Sequence, residues 1–116
     1  MLLFTPELAV LVSSGKKTQT RRARPNRPCV PGTVHRCYTR PAWLGGQPFA
    51  MVEILEVRQE RPVAISEADA RADGSPDRAT FLASFAARYG EASLTQPCWV
   101  VRFRLHGDSP QSRSAV

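Results

Sequence analysis

Ser14-Gly15-Lys16-Lys17-Thr18-Gln19-Thr20-Arg21-Arg22 packs four cations and two threonine hydroxyls into nine residues. A short helix precedes it. Thr5 is placed to cap that helix, Pro6 suits its first position, and Glu7 sits near the positive end of the dipole. Leu8, Leu11 and Val12 share one face, and Ser13-Ser14-Gly15 stops the helix because glycine enters the left-handed conformation freely. Lys16 to Arg22 therefore emerges directly from that helix end; an exposed basic edge is the commoner reading of such lysines and threonines, and a Thr–Lys nucleophile pair, in which crowding cations lower the lysine pKa so that it can serve as a base, is the rarer one. The Gly15-Lys16 pair does not make a phosphate loop: Val10 stands where such a loop needs its first glycine, and the preceding element is a helix rather than a strand.

Outward from this segment the chain alternates strands with punctuated loops. Leu2-Leu3-Phe4 reads as a short buried strand before the helix. Arg24 to Gly32 holds three prolines and reads as an irregular loop carrying Arg24 and Arg27 outward. Thr33 to Thr39 predicts a strand, with Val34, Arg36 and Tyr38 on one face and His35, Cys37 and Thr39 on the other. Arg40 to Gly46 breaks it and presents Trp43 on a loop. Phe49 to Arg58 is the longest strand candidate, with Ala50, Val52 and Ile54 pointing one way. Ser66 to about Asp73 predicts a helix of one or two turns before Gly74. Ser75-Pro76-Asp77 starts another, with Phe81, Leu82, Phe85 and Tyr89 as its apolar face and Gly90 as its stop. Trp99, Val101, Phe103 and Leu105 alternate with Val100, Arg102 and Arg104 in the clearest amphipathic strand, ahead of a polar tail from 107 to 116 expected to be disordered. No repeated β-α-β pattern is present, so the expected architecture is α+β: one domain over 1–106, a small mixed β-barrel, partly closed, with two or three peripheral helices.

Charge is concentrated rather than spread. The chain of 116 residues carries sixteen basic and ten acidic groups, net +6, and eight of the basic groups lie between Lys16 and Arg40 with no Asp or Glu among them. The remaining residues are net acidic, so the whole excess belongs to this segment. Such a patch favours polyanions, nucleic acid first; a face that merely keeps the protein soluble, or that docks an acidic protein, is the competing reading.

With these residues in view the chain resembles a known family. Phe4-Thr5-Pro6-Glu7, Ser14 to Arg22, Pro31-Gly32-Thr33-Val34-His35, Val52-Glu53-Ile54-Leu55-Glu56-Val57 and Trp99-Val100-Val101-Arg102-Phe103 occur in the order found in ASCH domains of the PUA-like superfamily. The resemblance spans roughly residues 1 to 105 and is strongest over Ser14 to Arg22. It implies a PUA-like barrel with a basic cleft beside that segment, binding RNA, a nucleoside or a nucleotide. Some relatives are ribonucleases, and one branch deacetylates N4-acetylcytidine with a lysine, a threonine and a carboxylate.

Carried over by that resemblance, Lys17 and Thr20 match the lysine and threonine, and Asp73 falls where the branch has a glutamate one methylene longer. Glu67 and Asp69 are alternatives for the acid, as is its absence. In the hydrolase reading Lys17 takes the proton of Thr20, Thr20 attacks the acyl carbon, Asp73 orients the lysine, and Arg21 or backbone N–H groups hold the oxyanion. In the binding reading Lys16, Lys17, Thr18, Thr20, Arg21, Arg22, Arg36 and Arg40 contact phosphates while Tyr38 and Trp43 stack on bases. For Tyr38 and Trp43, packing at the core edge and in a loop is the competing reading.

Cys29, His35, Cys37 and Cys98 do not have zinc-site spacing: no C-x-x-C occurs and the neighbours are basic. Neither metal nor cofactor is expected. Three cysteines are the wrong number for a disulfide framework, and Met1-Leu2-Leu3-Phe4 has no basic leader, so a reducing cytoplasm is expected. No apolar run reaches the ~18 residues of a membrane helix.

Overall fold

The computed structural model describes residues 1–107. Apart from Gly107, the expected tail lies outside the described residues. In chain order the regular elements are β1 (Leu2–Leu3), α1 (Pro6–Ser13), β2 (Gln19–Arg22), β3 (Val34–Tyr38), β4 (Ala50–Glu60), α2 (Glu67–Ala72), α3 (Arg78–Tyr89) and β5 (Cys98–Leu105).

The strands form one five-stranded sheet in the order β1-β3-β4-β5-β2. Only β1 with β3 is parallel; the other pairs are antiparallel. The register of β4 against β5 slips between Ile54 and Glu56, placing Leu55 opposite no partner. An extra residue of this kind bends and twists a strand, which helps the long β4 curl the sheet into a half-barrel. The barrel is not closed by strand pairing: β1 and β2 are its two free edges. One side chain spans that seam, Arg22 donating from Nη2 to the Leu3 carbonyl at 2.8 Å.

Two apolar clusters hold the fold. Leu2, Phe4, Val12, Cys37, Val52, Ile54, Val101 and Phe103 pack α1 onto the sheet. Ile65, Ala70, Phe81, Phe85 and Cys98 pack α2 and α3 at the start of β5. The alternation read in β4 is observed, with Ala50, Val52 and Ile54 buried. In β5 the alternation is less regular, since Val100 and Val101 are both buried while Leu105 is exposed.

Helix ends follow the side-chain chemistry of the sequence. Thr5 accepts from Leu8 N, Ser66 from Asp69 N, and Asp77 from Thr80 N. Gly15, Gly74 and Gly90 take positive φ after the three helices.

The basic segment departs from its expected form. Gln19 to Arg22 is a strand paired with β5 rather than an exposed edge, and Lys17, Gln19, Thr20 and Arg21 are all buried. No acidic group lies within the segment itself; carboxylates from β4 and from α2 and its C-terminal cap pair with its buried cations, Lys17 and Arg21.

Candidate functional site

A cavity of about 580 Å³ opens at the seam between β1 and β2. Leu3 to Pro6 form one side, Thr20 to Arg22 another, and α3 supplies a wall of Phe81, Phe85 and Tyr89. Lys17 and Asp73 also line it.

Lys17 owes its place to two helix ends. Its backbone N–H, with that of Lys16, donates to the Leu11 carbonyl beyond the stop of α1. Thr18 N then donates to the Ala72 carbonyl at 2.8 Å, tying the segment to the end of α2. The Lys17 side chain, 2% exposed as a residue, donates from Nζ to the Gln19 carbonyl at 2.7 Å, to Asp73 Oδ1 at 3.1 Å, and in a short bond to the Asp73 carbonyl. Three donors therefore meet three acceptors, and a cation sits at the carbonyl end of α2, where the helix dipole favours it.

Burial lowers the Lys17 pKa below its ordinary value; the Asp73 carboxylate opposes that shift, and Arg22 and Arg21 add to it. The amine accordingly loses its proton more readily than a surface lysine does.

Beneath this pair lies a second charge cluster. Arg21, 5% exposed, donates from Nη1 to Asp73 Oδ2 at 3.1 Å and to Gln19 Oε1 at 2.9 Å. Its Nη2 donates to Glu60 Oε1 at 2.9 Å and lies 3.7 Å from Asp69 Oδ2. Gln19 Nε2 donates in turn to Asp69 Oδ1 at 3.1 Å. Asp73 is thus held from both sides, one oxygen on Lys17 and the other on Arg21. Burial acts to raise the Glu60 pKa, but hydrogen bonds and charge from Arg21 and Arg58 outweigh it and hold the carboxyl below its ordinary value.

Thr20 reaches the same cavity from β2, and its Oγ1 accepts from Arg22 Nε at 3.2 Å. That bond leaves the hydroxyl proton free to be donated. Arg22 lies with its guanidinium 5.2 Å from the centre of the Phe4 ring, and Arg88 lies equally far from Tyr89.

Lys17, Thr20, Asp73, Arg21 and Arg22 are brought together as lining residues. Other sequence candidates lie elsewhere. Arg36, Tyr38, Arg40 and Trp43 do not line the cavity: Tyr38 is buried in the sheet, and Trp43 is 74% exposed on the turn Ala42–Leu44. Lys16 and Thr18 also fall outside the lining. Of the alternative acids, Asp69 serves Arg21, while Glu67 accepts from the Arg78 backbone N–H.

The aromatic wall was not recognised from sequence. Phe81, Phe85 and Tyr89 belong to the apolar face of α3, and their helical spacing carries no sign that the same face also fronts a cavity. The three cysteines are free and buried, and among the described residues no His, Cys, Asp and Glu side chains are grouped to hold a metal. No described helix is long and apolar enough to cross a membrane.

No family model matches the chain, and neither does any curated protein. Solved structures do. A protein of Enterococcus faecalis V583 described by the family model DUF984 superposes with TM-score 0.75 at 17% identity, covering 100% of this chain and 82% of its own. An ASCH domain of Lactobacillus crispatus JV V101 superposes with TM-score 0.62 at 17% identity, covering 84% of this chain and 69% of its own. The fold is ASCH-like. It is the α+β, PUA-like half-barrel expected from the sequence, and at this identity the likeness is one of fold alone.

Proposed function

We propose that this ASCH-like domain binds a nucleoside, either free or as an unpaired residue of an RNA, in the cavity between β1, β2 and α3. The observation that carries the reading is the composition of the cavity: Phe4, Phe85 and Tyr89 line a space that is also lined by Arg22, Arg88 and the Lys17–Asp73 pair. About 580 Å³ suits one base and its sugar, aromatic faces stack on a base, and fixed polar groups at the floor read its edge. Lys16, Arg36, Arg40 and Trp43, outside the cavity, would meet phosphates and bases of a longer strand. Titration calorimetry with the four ribonucleosides and N4-acetylcytidine tests the reading. Saturable binding that Tyr89→Ala abolishes supports it; absence of binding to all five overturns it.

The Lys17–Asp73 contact favours a second reading, hydrolysis of an amide on the bound base. A neutral Lys17 would take the Thr20 hydroxyl proton, Thr20 Oγ1 would bond to the acyl carbon, and the carbon–nitrogen bond would break as that nitrogen regained a proton. Water would then cleave the threonine ester and restore the hydroxyl. Asp73 would orient Lys17. Both terminal nitrogens of Arg21 are already engaged, so the oxyanion role considered for it falls to Arg22 or to backbone N–H groups. Chromatography of N4-acetylcytidine incubated with the protein checks this. Cytidine release that disappears in Lys17→Ala supports it, and release that persists in that variant dismisses the assignment.

A further inference from the structure

The cavity is charge-balanced at its floor and not at its mouth. Among the described residues Asp73 is its only lining carboxylate, and both of its oxygens are taken by Lys17 and Arg21. Arg22 and Arg88 line the same cavity, yet among the described residues neither forms a salt bridge. Two arginines sharing one cavity repel each other: burial lowers the Arg22 pKa, Tyr89 opposes that shift, and Arg88 adds to it.

Both guanidinium groups nonetheless lie over aromatic rings, and Arg22 is anchored by hydrogen bonds as well. Arg22 lies over Phe4 and is anchored from Nε to Thr20 and from Nη2 to the Leu3 carbonyl, which leaves Nη1 with no partner among the described residues. Arg88 lies over Tyr89, whose ring centre is 4.7 Å from that of Phe85. Aromatic faces hold guanidinium groups flat and leave their N–H edges free for an anion.

We infer that the mouth of the cavity, between Arg22 and Arg88, binds the phosphate ester of the bound nucleoside, which makes a nucleotide the ligand class. Planar guanidinium forks match phosphate oxygens, and a ligand charge here relieves the repulsion between the two arginines. The arrangement also orients the ligand. Its base points toward the Lys17–Asp73 floor and its phosphate toward solvent, where Arg88 is exposed. This inference rests on the nucleoside reading above.

Calorimetry on the full chain at low salt separates the two. The ligands are the four ribonucleosides, their 5′- and 3′-monophosphates, inorganic phosphate, and a short oligoribonucleotide without terminal phosphates. For at least one base, a monophosphate should bind about tenfold more tightly than its nucleoside. Arg88→Gln should collapse that ratio, and Arg88→Lys should keep part of it. An oligoribonucleotide that binds more tightly than any monophosphate identifies the RNA backbone as the phosphate source; the reverse order identifies a free nucleotide. Nucleoside binding with no gain from phosphate, or a gain that Arg88→Gln leaves intact, overturns the inference and spares the nucleoside reading. If inorganic phosphate binds in an Arg88-dependent manner while no nucleoside binds, the anion site stands and the nucleoside reading falls. Absence of binding to every ligand overturns both.

Discussion

Lys17 Nζ stands 3.1 Å from Asp73 Oδ1, although 56 positions separate the two residues in the chain. The contact joins the turn after α1 to the cap of α2 and places a buried amine at the floor of the cavity.

Removing the carboxylate charge should destabilise the fold severely. Asp73→Asn leaves the side chains of Lys17 and Arg21, 1% and 0% exposed, without their shared anion. A loss of about 3 kcal/mol is expected in urea unfolding. Lys17→Met should lose clearly less, because it removes a buried charge while Asp73 keeps Arg21. Equal losses in the two variants would show that the pair does not act as described.

Gly74 links backbone conformation to the same pair. Its φ is +105°, and a β-carbon there would meet Leu8 Cδ2 at 3.0 Å and Lys17 Cδ at 3.4 Å. Gly74→Ala should therefore destabilise by about 1–2 kcal/mol through an unfavourable φ and crowding. It should also weaken nucleoside binding by displacing the lysine stem. Urea unfolding and calorimetry read the two effects separately, and wild-type values in both contradict the expectation.

Two aromatic residues should behave differently toward short and long ligands. Tyr89→Ala removes part of the cavity wall and should weaken binding of a single nucleoside by about tenfold. Trp43→Ala should leave nucleoside binding as it is, since Trp43 does not line the cavity, but weaken binding of an oligoribonucleotide. Fluorescence or calorimetric titration with both ligands checks the contrast. The opposite pattern would move the base site from the seam to the Ala42–Leu44 turn.

The buried thiols set an alkaline limit. Burial pushes Cys37 up to about 12 and Cys98 up to about 11, from an ordinary 9.0. Above pH 9 the unfolded chain sheds thiol protons that the folded chain keeps. The contribution of these thiols is therefore complete below pH 9 and is lost as pH rises through about 11 and 12. Ellman's reagent at pH 8 should react slowly with folded protein and rapidly once urea is added. Rapid reaction of all three thiols without urea would contradict their burial.

Much of the fold was legible because its signals are local. Thr5, Ser66 and Asp77 each cap a helix by accepting from an N–H three residues on, and Gly15, Gly74 and Gly90 end those helices, all within the span of one turn. The period of two in β4, the proline-rich loop after Arg24 and the Lys17–Thr20 spacing are local in the same sense. Tertiary structure alone decided what became of the charge. Arg21 finds Glu60 and Asp73 from 39 and 52 positions away, and Lys17 finds Asp73 from farther still. Burial of a cation depends on partners delivered by other elements, and no local pattern encodes them. The same holds for the cavity: Phe81, Phe85 and Tyr89 have the spacing of any buried helix face. They line a cavity only because β1 and β2, the two ends of the sheet, do not pair with each other beside them.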